Sequence, residues 1–195
     1  MPYRAIIIHG IEASSESDWL PWLKVQLLDQ GFDVAVPDMP DTNHPKIGEW
    51  VSRISAIVGQ PDAHTFLVGH SIGGQAILRY LAQLGGDAKV GGTILVASWT
   101  HLRAAAFESA EDEQTFKPWL ETPIDWEGAR AHSDRFVVIL SDDDPYVPLS
   151  VREEFSSKLG AKIIIEKGKG HMSADTGVTE LPSLLEELLI MSGKK

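Results

Sequence analysis

Thr65-Phe66-Leu67-Val68-Gly69-His70-Ser71-Ile72-Gly73-Gly74 carries the pattern G-x-S-x-G between an apolar run and a stretch of helical spacing. A serine held clear of a sheet must sit on a tight strand-to-helix turn with a strained backbone. Side chains two residues before and after it would collide there, so glycine stands at positions 69 and 73. The helix that follows aims its N-terminus at the serine, and its first amides can bind a developing oxyanion. A bare G-x-S-x-G arises by chance in about one chain in fifteen of this length. The strand before it and the helix after it give this copy its meaning, and Ser71 is the candidate nucleophile.

Outward from the elbow, short β-rich runs alternate with amphipathic segments. The candidate strands are Arg4–Ile8, Asp33–Val36, Thr65–Val68, Gly92–Val96, Phe136–Leu140 and Lys162–Glu166. Most lack polar alternation, as expected of strands buried on both faces of a parallel sheet. Helical spacing covers Ser17–Gln30, Ile47–Val58, Gly73–Leu84, Val151–Leu159 and Glu180–Met191. Gly31 and Gly85-Gly86 read as helix stops. This alternation predicts an α/β fold, a doubly wound sheet of about six mostly parallel strands with helices on both faces. Ser98–Ser133 breaks the rhythm. It is long, it carries Trp99, Phe107, Phe116, Trp119 and Trp126, and it reads as a small active-site cover or a packed excursion, with a short helix over Trp126–Ala131.

The 195 residues fit one domain spanning 1–195, and the 43% hydrophobic and 23% charged content is that of an ordinary globular chain. No apolar run approaches the roughly 20 residues of a membrane helix. The start, MPYRAIIIHG, lacks the features of a signal peptide, so the expected address is cytoplasmic, with no membrane partner. The absence of cysteine excludes disulfides, thiolate metal sites and a cysteine nucleophile. A net charge of −11 with scattered basic residues argues against nucleic acid as a partner.

A serine hydroxyl needs a histidine to take its proton and a carboxylate to hold that histidine. On an elbow of this kind the chain order is serine, acid, histidine. His101, His132 and His171 follow Ser71. The first two border the long insertion. His171 lies in the glycine-rich loop Lys167-Gly-Lys-Gly-His-Met172 after the last strand, at the sheet's carboxyl edge. The acid should follow the penultimate strand, where Asp142, Asp143 and Asp144 offer three candidates. Asp144 is set apart by Pro145, which biases it toward an extended backbone. The other two suit a turn or solvation.

The first strand ends Ile8-His9-Gly10-Ile11, which places the Ile11 amide beside that of Ile72 as an oxyanion pair, with His9 packing inward as a structural residue. Trp99, His70 and Met172 are candidates for the substrate pocket, Trp99 being as readily a core tryptophan. Asp38, Asp41 and His44 lie close in sequence but lack a second histidine at a ligating interval, and they read as a turn rather than a metal site.

These residues resemble the small serine hydrolases of the retinoblastoma-binding protein 9 and YdeN type. The resemblance covers nearly the whole chain, through Trp19-Leu-Pro-Trp22, Gly31-Phe32, Met39-Pro-Asp41, Gly69-His-Ser71, Ser141-Asp-Asp-Asp-Pro-Tyr-Val-Pro148 and Gly170-His171. It implies a compact α/β-hydrolase fold with at most a small cap, and a Ser71–Asp144–His171 triad. The cysteine of the retinoblastoma-binding motif in the family's human member has no counterpart here, so the resemblance implies no such partner.

The chemistry these observations imply is hydrolysis of a small carboxylic ester or thioester, or of an amide, through an acyl-enzyme, with a small-molecule acyl substrate and no cofactor or metal. The alternative is a catalytically idle hydrolase scaffold serving as a binding module, which fold alone does not exclude. A dinucleotide-binding domain is excluded because no G-x-G-x-x-G follows the first strand.

Overall fold

The computed structural model describes residues 2–195. Six strands, β1 (Arg4–Ile8), β2 (Asp33–Ala35), β3 (Thr65–His70), β4 (Gly92–Val96), β5 (Phe136–Ser141) and β6 (Lys162–Glu166), form one sheet in the order β2-β1-β3-β4-β5-β6. Every pairing is parallel. Parallel neighbours need crossovers, supplied here by α1 (Leu20–Asp29), α2 (Ile47–Val58), α3 (Ile72–Leu81), α4 (Ala110–Glu121), α5 (Trp126–Ala131) and α6 (Val151–Leu159), with α7 (Pro182–Met191) closing the chain.

Successive residues of a strand face opposite sides of the sheet, which splits the apolar set into two cores. Ala5, Ile7, Phe66, Val68, Ile94, Val96, Val137 and Ile139 pack under α1 and α7. Ile6, Ile8, Leu67, Leu95, Val138 and Leu140 pack under α2, α3, α5 and α6. The central strands are apolar on both faces because both faces are covered, so their sequences show no alternation.

The helix ends explain where the sequence-based bounds shift. Gly31 stops α1 as expected: its φ is 76°, the Phe32 amide reaches the Leu27 carbonyl and the Gly31 amide reaches that of Leu28. These are the paired bonds of a glycine C-cap. Gly85-Gly86 does not stop α3. That helix ends at Leu81, where the Gln83 and Leu84 amides tighten onto the carbonyls of Tyr80 and Leu81. The insertion holds a helix that its polar composition concealed. α4 starts from Ser109, whose hydroxyl accepts from the Asp112 amide while the Asp112 carboxylate accepts from the Ser109 amide.

The chain leaves β1 toward β2 on one side and reaches β3 on the other, so the strand order reverses between β1 and β3. In an open parallel sheet, the crevice at that reversal, beyond the carboxyl ends of the strands, is where ligands bind. The loops after β1 and β3 carry Gly10-Ile11 and Ser71 to this place. Among the described residues six non-glycines have positive φ: Glu12, Asp18, Asp41, Ser71, Ala97 and Met172. All six lie in loops that follow the carboxyl ends of strands, where strain of this kind collects around functional sites.

Candidate active site

Ser71 has φ 52° and ψ −123° and is 5% exposed. Its amide donates to the Val96 carbonyl, and its own carbonyl accepts from the Gly74 amide and the Ser98 hydroxyl. These bonds hold a backbone that the residue would not choose alone. The glycines are required by contact. A Cβ on Gly69 would stand 2.6 Å from the Gly74 nitrogen, and one on Gly73 2.5 Å from the His9 carbonyl oxygen. Gly74, outside the motif, is as constrained, because a Cβ there would collide with the Ser98 hydroxyl that braces the elbow.

His171 lies after β6, beside the elbow, and lines the same cavity as Ser71. Its Nδ1 is 2.9 Å from Oδ2 of Asp144. The other oxygen of that carboxylate accepts from the amides of Tyr146, at 2.8 Å, and Val147, at 3.0 Å. Asp142 and Asp143 also serve this loop. Asp142 Oδ1 accepts from the Gly168 amide, and Asp143 Oδ1 accepts from the Gly170 amide and the Ser141 hydroxyl. The Ser141 hydroxyl and the Gly170 amide hold the Asp143 carboxyl below the usual carboxylate range. The three aspartates thus bind Gly168, Gly170 and the His171 ring in step. Gly170 has φ 51°, and a Cβ there would meet Thr176 Cγ2 at 2.5 Å. The indole of Trp19 adds a bond to the Met172 carbonyl.

His9 is fully buried, and burial holds its pKa below the ordinary histidine value. Its ring bonds the Gly10 carbonyl through Nδ1 at 2.7 Å and accepts the Met39 amide at Nε2. An acceptor at Nε2 and an acceptor opposite Nδ1 fix the tautomer with the proton on Nδ1. His9 is therefore the inward-packed brace that the sequence suggested. The Gly10 carbonyl it holds belongs to the peptide whose amide is that of Ile11. Among the described residues, neither the Ile11 nor the Ile72 amide donates to a backbone carbonyl in the surrounding loops and caps.

The other expected site residues separate. Trp99 is 1% exposed, lines the cavity, and donates from Nε1 to Ser71 Oγ, the two atoms 3.3 Å apart. His70 lines a second lobe on the far side of Ser71. Met172 corrects the sequence reading. It is fully buried in the core beneath α1 and α7, because its positive φ turns the side chain into the sheet face as the chain leaves His171. His101 bonds Ser150, and His132 bonds the Ala88 carbonyl. Asp38 accepts the Ser15 amide, and His44 contacts Asp41 and Glu111 at the surface.

A cavity of about 330 Å³ is walled by Trp99, Leu102, Phe116 and Tyr146 and opens on Ser71 and His171. The insertion supplies most of that wall, with Trp99 and Phe116 edge to face at 5.8 Å. Gln75 and Arg79 on α3 hold it down, and the sequence reading missed both. Gln75 donates to the Trp99 carbonyl, and the buried Arg79 guanidinium donates to Gln75 Oε1 and to the carbonyls of Trp119, Thr122 and Pro123. Long polar side chains on an otherwise apolar helix face were the available signal. The partners they serve in the insertion lie 24 to 44 residues away in sequence and were not legible.

A serine hydrolase family model matches residues 5–189. This chain belongs to the serine hydrolase family. It is 31% identical to YdeN of Bacillus subtilis (strain 168) over 188 residues, covering 96% of this chain and 95% of that protein. It is 24% identical to the serine hydrolase RBBP9 of Rattus norvegicus over 191 residues, covering 96% of each. The crystal structure of the Bacillus subtilis ydeN product superposes with a TM-score of 0.87 over 97% of this chain and 98% of that one. Est1E of Butyrivibrio proteoclasticus, solved with bound ferulic acid, matches at a TM-score of 0.74 and 15% identity over 99% of this chain and 90% of its own, a likeness of fold. The fold is that of the α/β-hydrolases, and the family makes the protein a hydrolase. Among the described residues no helix is long and apolar enough to cross a membrane.

Proposed function

We propose that the chain cleaves small carboxylic esters or thioesters through an acyl-enzyme on Ser71, with His171 as general base and acid and Asp144 as its orienting carboxylate. The observation that carries this reading is the Asp144 carboxylate, with one oxygen on two backbone amides and the other on His171 Nδ1, at a cavity that Ser71 also lines. A carboxylate so held keeps the proton on Nδ1 and leaves the Nε2 lone pair as the base.

In the first half-reaction Ser71 Oγ bonds to the acyl carbon as its proton passes to His171 Nε2. The carbonyl oxygen takes the negative charge and is met by the amides of Ile11 and Ile72. Collapse breaks the bond to the leaving oxygen or sulfur, which takes the proton from Nε2 and departs as alcohol or thiol. Water then attacks the acyl-serine, gives its proton to Nε2, and the second collapse releases the carboxylic acid and restores the Ser71 hydroxyl. The Trp99 N–H on Ser71 Oγ occupies one of its lone pairs in the resting state and leaves the hydroxyl proton free to be donated.

Fluorophosphonate labelling followed by intact mass tests the reading, with p-nitrophenyl butyrate as the turnover substrate. The wild-type chain takes one adduct and Ser71→Ala takes none, with ester turnover down by about 10³-fold or more. A wild-type chain that neither labels nor turns over is the idle scaffold instead.

A further inference from the structure

The cleft continues past Ser71 into a second lobe of about 510 Å³, on the side away from Trp99. Carboxylates line both lobes, Glu12, Glu108 and Asp112 the first and Glu12, Glu16, Asp18 and Asp175 the second, and among the described residues no lysine or arginine lines either. Exposed acids of this kind are commonplace, and by themselves they specify nothing. The floor is another matter.

There His70, 3% exposed, donates through Nε2 to the His171 carbonyl at 2.9 Å. That bond leaves a lone pair on Nδ1, and among the described residues Nδ1 has no hydrogen-bond partner. It faces Oδ2 of Asp18 across 3.6 Å, longer than a hydrogen bond. Burial, reinforced by the neighbouring His171, pushes the His70 pKa down to about 4, so the ring is neutral near pH 7. Asp18 is itself fixed. Its side chain is 11% exposed, and Oδ1 accepts from the Ala174 amide at 2.7 Å. A carboxylate oxygen and an imidazole lone pair therefore converge with no donor between them. A buried acceptor left unmet is costly, and one that faces a carboxylate oxygen calls for a group with N–H bonds and positive charge.

Resting on the ester-hydrolase reading, we propose that the second lobe is a subsite for a protonated amine, and that the preferred substrates carry an ammonium group on one side of the scissile bond and an apolar group on the other. The ammonium sits against Asp18 Oδ2, and the buried His70 Nδ1 behind it adds a second partial negative charge. Glu12, Glu16 and Asp175 add a field that draws cations in and repels carboxylates. The apolar part fills the lobe walled by Trp99 and Phe116.

Two pairs of isosteric esters separate charge from shape. Ethyl β-alaninate is compared with ethyl butyrate, which places the charge on the acyl side. Dimethylaminoethyl butyrate is compared with isopentyl butyrate, which places it on the alcohol side. At pH 7 one ammonium ester exceeds its neutral partner by about tenfold or more in kcat/KM. In Asp18→Asn, which keeps an acceptor for Ala174 and tolerates the positive φ, that ratio falls toward one. Equal rates within both pairs, or a preference that Asp18→Asn leaves intact, overturn the subsite. Calorimetric titration of the wild-type chain with propylammonium chloride, against butanol as control, needs neither turnover nor a variant. Saturable binding of propylammonium alone supports the subsite, and its absence overturns it. A chain that binds propylammonium yet cleaves no ester defeats the ester reading alone, and one that cleaves neutral esters but does neither of the other things defeats the subsite alone.

Discussion

Nδ1 of His171 stands 2.9 Å from Oδ2 of Asp144, and the remaining carboxylate oxygen is already taken by the amides of Tyr146 and Val147. The carboxylate cannot rotate without losing two backbone bonds, so only one oxygen is available to the ring. In Asp144→Asn the oxygen stays on the amides and the NH2 turns to the histidine. It then donates to Nδ1 and forces the ring proton onto Nε2, where the base must have a lone pair. Turnover is expected to fall by about 10³ to 10⁴. Raising the pH restores little of it, because deprotonation does not correct a tautomer. Initial rates on one p-nitrophenyl ester from pH 6 to 10 check this, and near wild-type activity would remove Asp144 from the proposed triad.

Asp142 and Asp143 act one step further out. Neither touches the His171 ring; each holds an amide of the loop that carries it. Asparagine still offers an oxygen to those amides, so Asp142→Asn and Asp143→Asn should each cost less than about tenfold. Asp143→Ala is different, since it strips the acceptor from both the Gly170 amide and the Ser141 hydroxyl. It should lower kcat more than its asparagine counterpart does. Equal rates for the alanine and asparagine variants would show that the loop stands without this staple.

The contrast among these three aspartates shows what the sequence makes legible. Elements whose cause is local were readable. Six strands or helices match to the residue, namely Arg4–Ile8, Ile47–Val58, Gly92–Val96, Trp126–Ala131, Val151–Leu159 and Lys162–Glu166, because apolar period or capping sets them. The elbow was readable because steric need dictates its glycines. Met172 was misplaced because its direction depends on a positive φ that no side-chain pattern reports. α4 was hidden because a helix that lies over a cavity keeps a polar outer face and shows little periodicity. Arg79 was missed because its acceptors are backbone carbonyls, which leave no trace in a sequence.

Arg79 predicts a stability effect. It is 6% exposed, has no carboxylate partner among the described residues, and caps the last carbonyls of α4 while reaching Gln75. Arg79→Met fills the space but leaves those carbonyls buried and unmet. The expected loss is about 2 to 4 kcal/mol, read from urea midpoints at constant m. The Trp99 wall should loosen with it, so KM for the butyrate ester rises more than kcat falls. An unchanged midpoint would mean that the guanidinium's own burial costs as much as its bonds return.

His9 and His70 predict how stability responds to pH. Burial lowers the folded pKa of both below the ordinary value, to about 4 for His70. Between that value and about 6.5 the unfolded chain binds more protons than the folded one, so stability rises with pH across this window and is lost as pH falls through it. For His70 alone, the loss from pH 7.5 to pH 5 is about 2 kcal/mol. Chemical denaturation at those two pH values, on the wild type and on His70→Asn, checks it. The variant should be less stable at pH 7.5 yet lose less on acidification, and an equal pH-dependent loss in both would exclude His70 as a source.

The last prediction concerns the length of the apolar part of the substrate. The lobe beside Ser71 encloses about 330 Å³ and ends at Trp99, Leu102 and Phe116, all supplied by the insertion. Trp99 is locked there from two sides, by the Gln75 amide on its carbonyl and by its edge-to-face contact with Phe116. A wall so braced does not retreat for a longer chain. Acyl groups of about two to six carbons should therefore react fastest, and the C4 p-nitrophenyl ester should outpace the C12 ester in kcat/KM. Trp99→Ala should shift the optimum upward by several carbons while weakening binding of the C4 ester, since the removed indole was its contact surface. Trp99→Phe, which keeps most of the wall but not the N–H on Ser71 Oγ, should leave the optimum in place. Rates across a C2 to C12 series for the three proteins decide the matter: a wild type that prefers C12, or an optimum unmoved in Trp99→Ala, would show that the acyl chain does not lie against this tryptophan.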